Sequence, residues 1–201
     1  MSRVQPHSPE RREPVIRVLA FDTESTDLKA MMGRILCASF AWLDVNNGEV
    51  TVGPRFTFRG DKAPWKGRRL IDDGKLCVAI RDQLEQANVI VGWNSKLHDI
   101  PLLNARLAKA GERAFNPHLH LDLMWYAGGS SMKIGSRKLD NVAKYFELPA
   151  QKTPISWDMW MSAGAGDREA MDVVIEHCEA DVEVLGQAYG HLLPYVKNVH
   201  R

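Results

Sequence analysis

The sequence predicts an α/β fold built on a mixed five-stranded sheet flanked by helices. Three observations carry this. Three strand-like segments open the chain, two of them joined by a hairpin signal. Two short apolar segments then alternate with helical stretches. The chain closes on a long run with helical periodicity. Antiparallel neighbours need only a turn, whereas parallel neighbours need a crossover, so this order implies a sheet of both kinds.

Taken in order, residues 1–14 are polar and proline-bearing and read as a flexible tail. They hold no apolar run of the kind a signal peptide needs. Val15 to Phe21 is rich in β-branched and aromatic residues and reads as a buried strand. Ile35 to Leu43 is a second strand and Glu49 to Phe58 a third. Asn46-Asn47-Gly48 between them is a hairpin turn. Arg59 to Gly74 reads as a polar loop. Leu76, Ile80, Leu84 and Ala87 recur at helical spacing. Asn88 to Trp93 is a short apolar strand of the kind buried on both faces. Asp99 to Ala110 reads as a helix ended by Gly111. Leu119 to Leu121 is a fifth strand, and Lys138 to Phe146 another helix. Pro149 to Gly166 reads as irregular. Arg168 to Leu193 is the longest helix.

The 201 residues carry 26 basic and 25 acidic side chains, a formal charge of +1, with 45% hydrophobic residues. These values exclude a collagen-like or largely disordered chain and a polybasic binder. They suit one domain over residues 15–201. Cys37, Cys77 and Cys178 are widely spaced and odd in number, which suits a reducing cytosol and disfavours a disulfide framework or a zinc ribbon. No apolar run approaches the ~20 residues that span a bilayer, so no membrane partner is expected.

Three clusters could carry chemistry. In Phe21-Asp22-Thr23-Glu24-Ser25, Asp22 and Glu24 stand two apart at the end of a strand, so both project from one face. Such a pair repels itself unless a cation intervenes, and hard divalent cations take oxygen ligands. Alone, the pair also reads as a strand ending in polar turn residues. In Asn94 to Asp99 a buried strand runs through a loop into a helix. Asp99 there reads as an ordinary helix-start acid, or as a site residue beyond a central strand. In His177-Cys178-Glu179-Ala180-Asp181, His177 and Asp181 stand one helical turn apart. They read as a surface pair, or as buried groups that need partners, given the apolar residues around Asp181.

Together the clusters resemble the ribonuclease H-like 3′–5′ exonuclease superfamily with its Asp-Glu-Asp-Asp metal site. The likeness is greatest to the exonuclease domains of family B DNA polymerases and their stand-alone phage and bacterial relatives. Asp22 and Glu24 match the first motif, Phe-Asp-x-Glu. Asp99 matches the second and Asp181 the third. One departure stands out. The superfamily carries a Tyr four positions before the last Asp or a His five before it; here His177 lies four before.

The resemblance implies a metal-dependent 3′–5′ exonuclease acting on DNA, on single strands or frayed 3′ ends. Asp22, Glu24, Asp99 and Asp181 would hold two Mg²⁺ or Mn²⁺ ions, and His177 would orient or deprotonate the attacking water. Activity is then expected to fall at acidic pH as His177 protonates; a flat rate from about pH 5.5 to 8 would oppose that role. An exoribonuclease of the same superfamily and a catalytically silent nucleic-acid-binding module remain alternatives. A separate polymerase or replication protein is the expected partner, in a bacterial or phage-infected cytosol, with proofreading, repair or nucleotide recycling as the setting. Asp122 reads either as an acid of the substrate cleft or as a helix N-cap. Trp93 and Trp125 could both stack on bases, with core packing the favoured reading for Trp93. Lys62 to Arg69 and Lys133 to Lys138 read as loops that could contact phosphates or simply be solvated.

Overall fold

The computed structural model describes residues 16–117, 119–129 and 132–196. The tail expected over residues 1–14 lies outside them. Among the described residues the strands are β1 (Val18–Ser25), β2 (Ile35–Asn46), β3 (Glu49–Arg59), β4 (Val89–Gly92) and β5 (Leu119–Asp122). They form one open sheet in the order β3-β2-β1-β4-β5. β1–β2 and β2–β3 are antiparallel; β1–β4 and β4–β5 are parallel. The mixed sheet expected from the element order is therefore present, with β1 at its centre. Asn47 (φ 52°) and Gly48 (φ 84°) both take left-handed backbone, as a two-residue hairpin between β2 and β3 requires.

The helices are α1 (Gly74–Leu84), α2 (Asp99–Lys109), α3 (Leu123–Ala127), α4 (Leu139–Tyr145), α5 (Trp157–Ala165) and α6 (Arg168–Leu192). Two of them differ from expectation. α3 has five residues, too few to show a 3.6-residue period. α5 falls in the stretch expected to be irregular. Only Ala163 of it is fully buried, while Trp157, Met159 and Met161 are exposed. Its apolar residues do not mark one face, so no helical stripe is visible in the sequence.

The sheet is covered on both faces, and the alternation along β1 decides what each face receives. Val18 and Ala20 face α6, packing in one cluster with Val182, Leu185 and Ala188. Leu19 and Phe21 face α1 and α2, packing with Leu76, Ile80, Leu103 and Leu107. Continuing the alternation sends Asp22 and Glu24 toward α6 and Thr23 toward α2. At the end of β4, a Cβ on Gly92 would lie 2.1 Å from Ser95 Oγ, so only glycine lets the chain turn there toward α2.

Candidate active site

The acids of β1 meet α6 as the alternation requires. The Cys178 thiol lies 3.5 Å from Asp22 Oδ2. His177 Nε2 lies 3.8 Å from Glu24 Oε1 and 3.9 Å from Asp181 Oδ2. Asp99 arrives from the other side of β1. It opens α2, and its Oδ1 accepts the Thr23 hydroxyl at 2.5 Å. The parallel pairing of β1 with β4 places the start of α2 beside the end of β1. Asp22, Glu24, Asp99, His177 and Asp181 are thus brought together, from three separate elements.

Their electrostatics are those of crowded, desolvated carboxylates. Burial, reinforced by Asp181, Glu24 and Asp99, holds the Asp22 carboxyl well above its ordinary range. Glu24 is pushed up to about 8, chiefly by burial, although a hydrogen bond from Trp160 favours its ionised form. Burial also raises Asp99 against its hydrogen bond from Thr23. His177 is lowered by burial, with Asp181 opposing the shift. Asp181 Oδ1 is buried and accepts no hydrogen bond. A buried carboxylate oxygen without a donor is costly unless a cation completes it. Glu24, His177 and Asp181 each offer a ligand atom, all within 4.8 Å of one another, as do Asp22, Glu24 and Cys178. An oxygen-rich set of this kind fits a hard divalent cation.

The cluster opens onto a cleft of about 720 Å³ lined in part by Asp22, Asp181, Trp93, Arg137, Lys138 and Lys152. Of the two basic segments singled out in the sequence, Lys133 to Lys138 reaches this cleft through Arg137 and Lys138. Lys66 and Arg69 line a separate cavity with Arg34 and Arg168.

The family model described as RNase_H superfamily matches residues 19–193. The chain belongs to the RNase H superfamily. Among solved structures, the family B DNA polymerase of the hyperthermophilic archaeon Pyrobaculum calidifontis superposes with a TM-score of 0.67 at 20% identity, over 90% of this chain and 25% of the polymerase. The chain therefore corresponds to about a quarter of that protein, and the likeness is one of fold. No curated protein matches. Membership of the RNase H superfamily points to a nuclease, and such nucleases generally use divalent metals.

Three residues that reach the cluster were not singled out in the sequence, and all lie in residues 149–166. The Lys152 ammonium pairs with Asp181. Burial disfavours its charge, but Asp181, Asp22 and Glu24 more than offset this, so its pKa is raised. Thr153 shares a hydrogen bond with His177 Nδ1 at 3.0 Å, leaving Nε2 as the nitrogen that faces the acids. Trp160 Nε1 donates to Glu24 Oε2 at 2.6 Å. A local signal did exist for the helix that carries Trp160. Ser156 stands at its N-cap, Asp158 in its first turn and Gly166 at its end.

Asp122 resolves to its N-cap reading. Its carboxylate accepts from the backbone of Met124 at the start of α3, and from Asn94 and Lys96 at 2.8 and 3.0 Å. It is 1% exposed, and it pins the loop that leads into Asp99. Asp122→Ala strands those amides and is expected to cost about 2–3 kcal/mol, read as a lowered urea midpoint. Trp93 packs against the core while its Nε1 donates to the Arg137 carbonyl. Trp125 is 43% exposed, with the Arg137 guanidinium 5.6 Å above its ring.

No helix among the described residues is long and apolar enough to cross a membrane.

Proposed function

We propose that the protein is a divalent-metal-dependent 3′–5′ exonuclease that hydrolyses the terminal phosphodiester of DNA, on single strands or frayed 3′ ends. The observation that carries this reading is the donor-free Asp181 Oδ1, buried among three further carboxylates at the floor of a cleft with a basic wall. Asp22, Glu24, Asp99 and Asp181 would hold two cations, Mg²⁺ or Mn²⁺. Bound there, the ions would supply Lewis-acid charge to the attacking water and to the departing 3′ oxygen.

The chain's own residues do the rest. His177 presents Nε2 to the cluster because Thr153 occupies Nδ1. Kept neutral by burial, it can accept the proton of the attacking water as that oxygen bonds to phosphorus and the P–O3′ bond breaks. Protonation of that nitrogen removes the proton acceptor, so the rate is expected to fall on the acid side. The Lys152 ammonium can offset phosphate charge on the same side as Asp181. Arg137 and Lys138 can hold the backbone of the incoming strand, and the exposed face of Trp125 can stack on a base. A separate polymerase or replication protein is the partner we infer, by analogy with the family B polymerase that shares the fold.

The test is digestion of labelled DNA and RNA oligonucleotides of one sequence, with product sizing. Shortening from the 3′ end with Mg²⁺ or Mn²⁺, DNA outpacing RNA, is the expected result. EDTA should stop it. Full activity in EDTA would dispose of the metal site, and faster digestion of RNA would reassign the substrate.

A further inference from the structure

Trp160 adds no charge to the cluster, yet it touches two of its members. Its indole N–H donates to Glu24 Oε2 at 2.6 Å, and its ring meets the His177 imidazole edge-on, with centroids 5.8 Å apart and planes at 89°. The indole is anchored from behind, packed against a buried cluster that includes Leu36, Cys37 and Met171. It is therefore a donor held in place by β2 and α6. Glu24 is left with Oε1 facing His177 Nε2 at 3.8 Å, on the side where Glu24, His177 and Asp181 converge.

We propose that Trp160 is a positioning residue that restricts Glu24 to ligation through one oxygen, and so sets the preference of the site for Mg²⁺ over Ca²⁺. The inference rests on the reading of the acids as a divalent-cation site. Mg²⁺ demands near-octahedral geometry and takes carboxylates through single oxygens; Ca²⁺ accepts six to eight oxygens and readily takes a carboxylate through both. To offer both oxygens to one ion, Glu24 must turn Oε2 toward the ion, and that oxygen must share its lone pairs between the ion and an indole N–H fixed in place. With a side-chain exposure of 12%, Glu24 has little access to water as a replacement. Weakening a hydrogen bond to a charged acceptor corresponds to a penalty of up to about tenfold on two-oxygen binding, and that penalty falls on Ca²⁺. Removing the N–H should lift it.

The experiment needs no nucleic acid and no turnover. Mn²⁺ binding to the full chain is followed by electron paramagnetic resonance, and Mg²⁺ or Ca²⁺ is titrated in as competitor. Trp160→Phe deletes the donor. A second variant, with Trp160 replaced by benzothienylalanine, swaps the N–H for sulfur within the same ring shape and serves if the phenylalanine variant is unfolded. The ratio of Ca²⁺ to Mg²⁺ affinity should rise in either variant, by up to about tenfold. An unchanged ratio, or an equal loss of affinity for both ions, would overturn the inference and leave the cation site standing. A parent chain that binds no Mn²⁺ would overturn both.

Discussion

Asp22→Asn is expected to abolish cleavage while making the metal-free protein more stable than its parent. The two effects have one cause. Asp22 sits among Asp181, Glu24 and Asp99, and burial together with those charges makes its ionised form unfavourable. Removing one charge relieves that repulsion when no cation is present. It also removes a ligand, and disturbing even the residues behind a metal ligand costs about 10- to 100-fold, so activity should fall by more than about 100-fold. Thermal unfolding with EDTA and with Mg²⁺ separates the two. The parent should gain stability on adding Mg²⁺ and the variant should gain little. A variant less stable than its parent in EDTA would refute the electrostatic account.

Glu24 gives the same idea a pH dependence. Its pKa rises from 4.5 unfolded to about 8 folded, so the folded chain holds the extra proton between those values. Metal-free stability is then greatest on the acid side and is lost as pH rises from about 4.5 to 8, by at most about 5 kcal/mol. Glu24→Gln should flatten that part of the profile. Saturating Mg²⁺ should flatten it too, because the cation favours the carboxylate.

The fold is legible in the sequence wherever burial follows a period. Val18, Ala20, Leu19 and Phe21 divide between two faces, and that alternation by itself puts Asp22 and Glu24 on one side. His177 and Asp181 are legible as an i, i+4 pair with apolar neighbours. Lys152, Thr153 and Trp160 are not, for a physical reason. They reach the acids from a stretch whose apolar side chains lie largely in solvent, so no stripe identifies a buried face. What they touch is far away in sequence: Trp160 meets Glu24 across 136 residues. Likewise, Thr23 and Asp99 approach from opposite ends of a parallel crossover, and only the strand order shows that they meet.

Arg106 is where a single substitution should damage both stability and activity. It lies on α2, two turns after Asp99, and is 4% exposed. All five of its N–H groups are engaged. Nε and Nη2 bind the Asp73 carboxylate at 2.6–3.0 Å, Nη1 reaches the carbonyls of Ala30 and Gly33, and Nη2 reaches that of Ile71. Asp73 in turn accepts Ile35 N–H at 2.8 Å. The pair therefore ties α2 to the loop after Glu24, to the first residue of β2 and to the segment before α1. Arg106→Ala leaves a buried carboxylate without its counter-charge and removes the guanidinium donors of three carbonyls, for about 3–5 kcal/mol. In a chain of this size that is about 6–20 °C of melting temperature. Arg106→Lys should recover only part of it, since an ammonium cannot reproduce the planar fork on Asp73 and still reach the carbonyls. A double-mutant cycle of Arg106→Leu with Asp73→Asn should show the double variant less damaged than the singles add to, because no unpaired charge remains buried. Activity supplies the second readout. The loop that Arg106 holds follows the strand that bears Asp22 and Glu24, and the helix that bears Arg106 begins at Asp99, so this side chain braces the two sets of acids together with the β1–β4 pairing and the Thr23–Asp99 hydrogen bond. Assayed well below its melting temperature, Arg106→Lys should still cleave more slowly and need more Mg²⁺ for half-maximal rate. A variant that lost only stability would show that the two sets of acids are aligned without it.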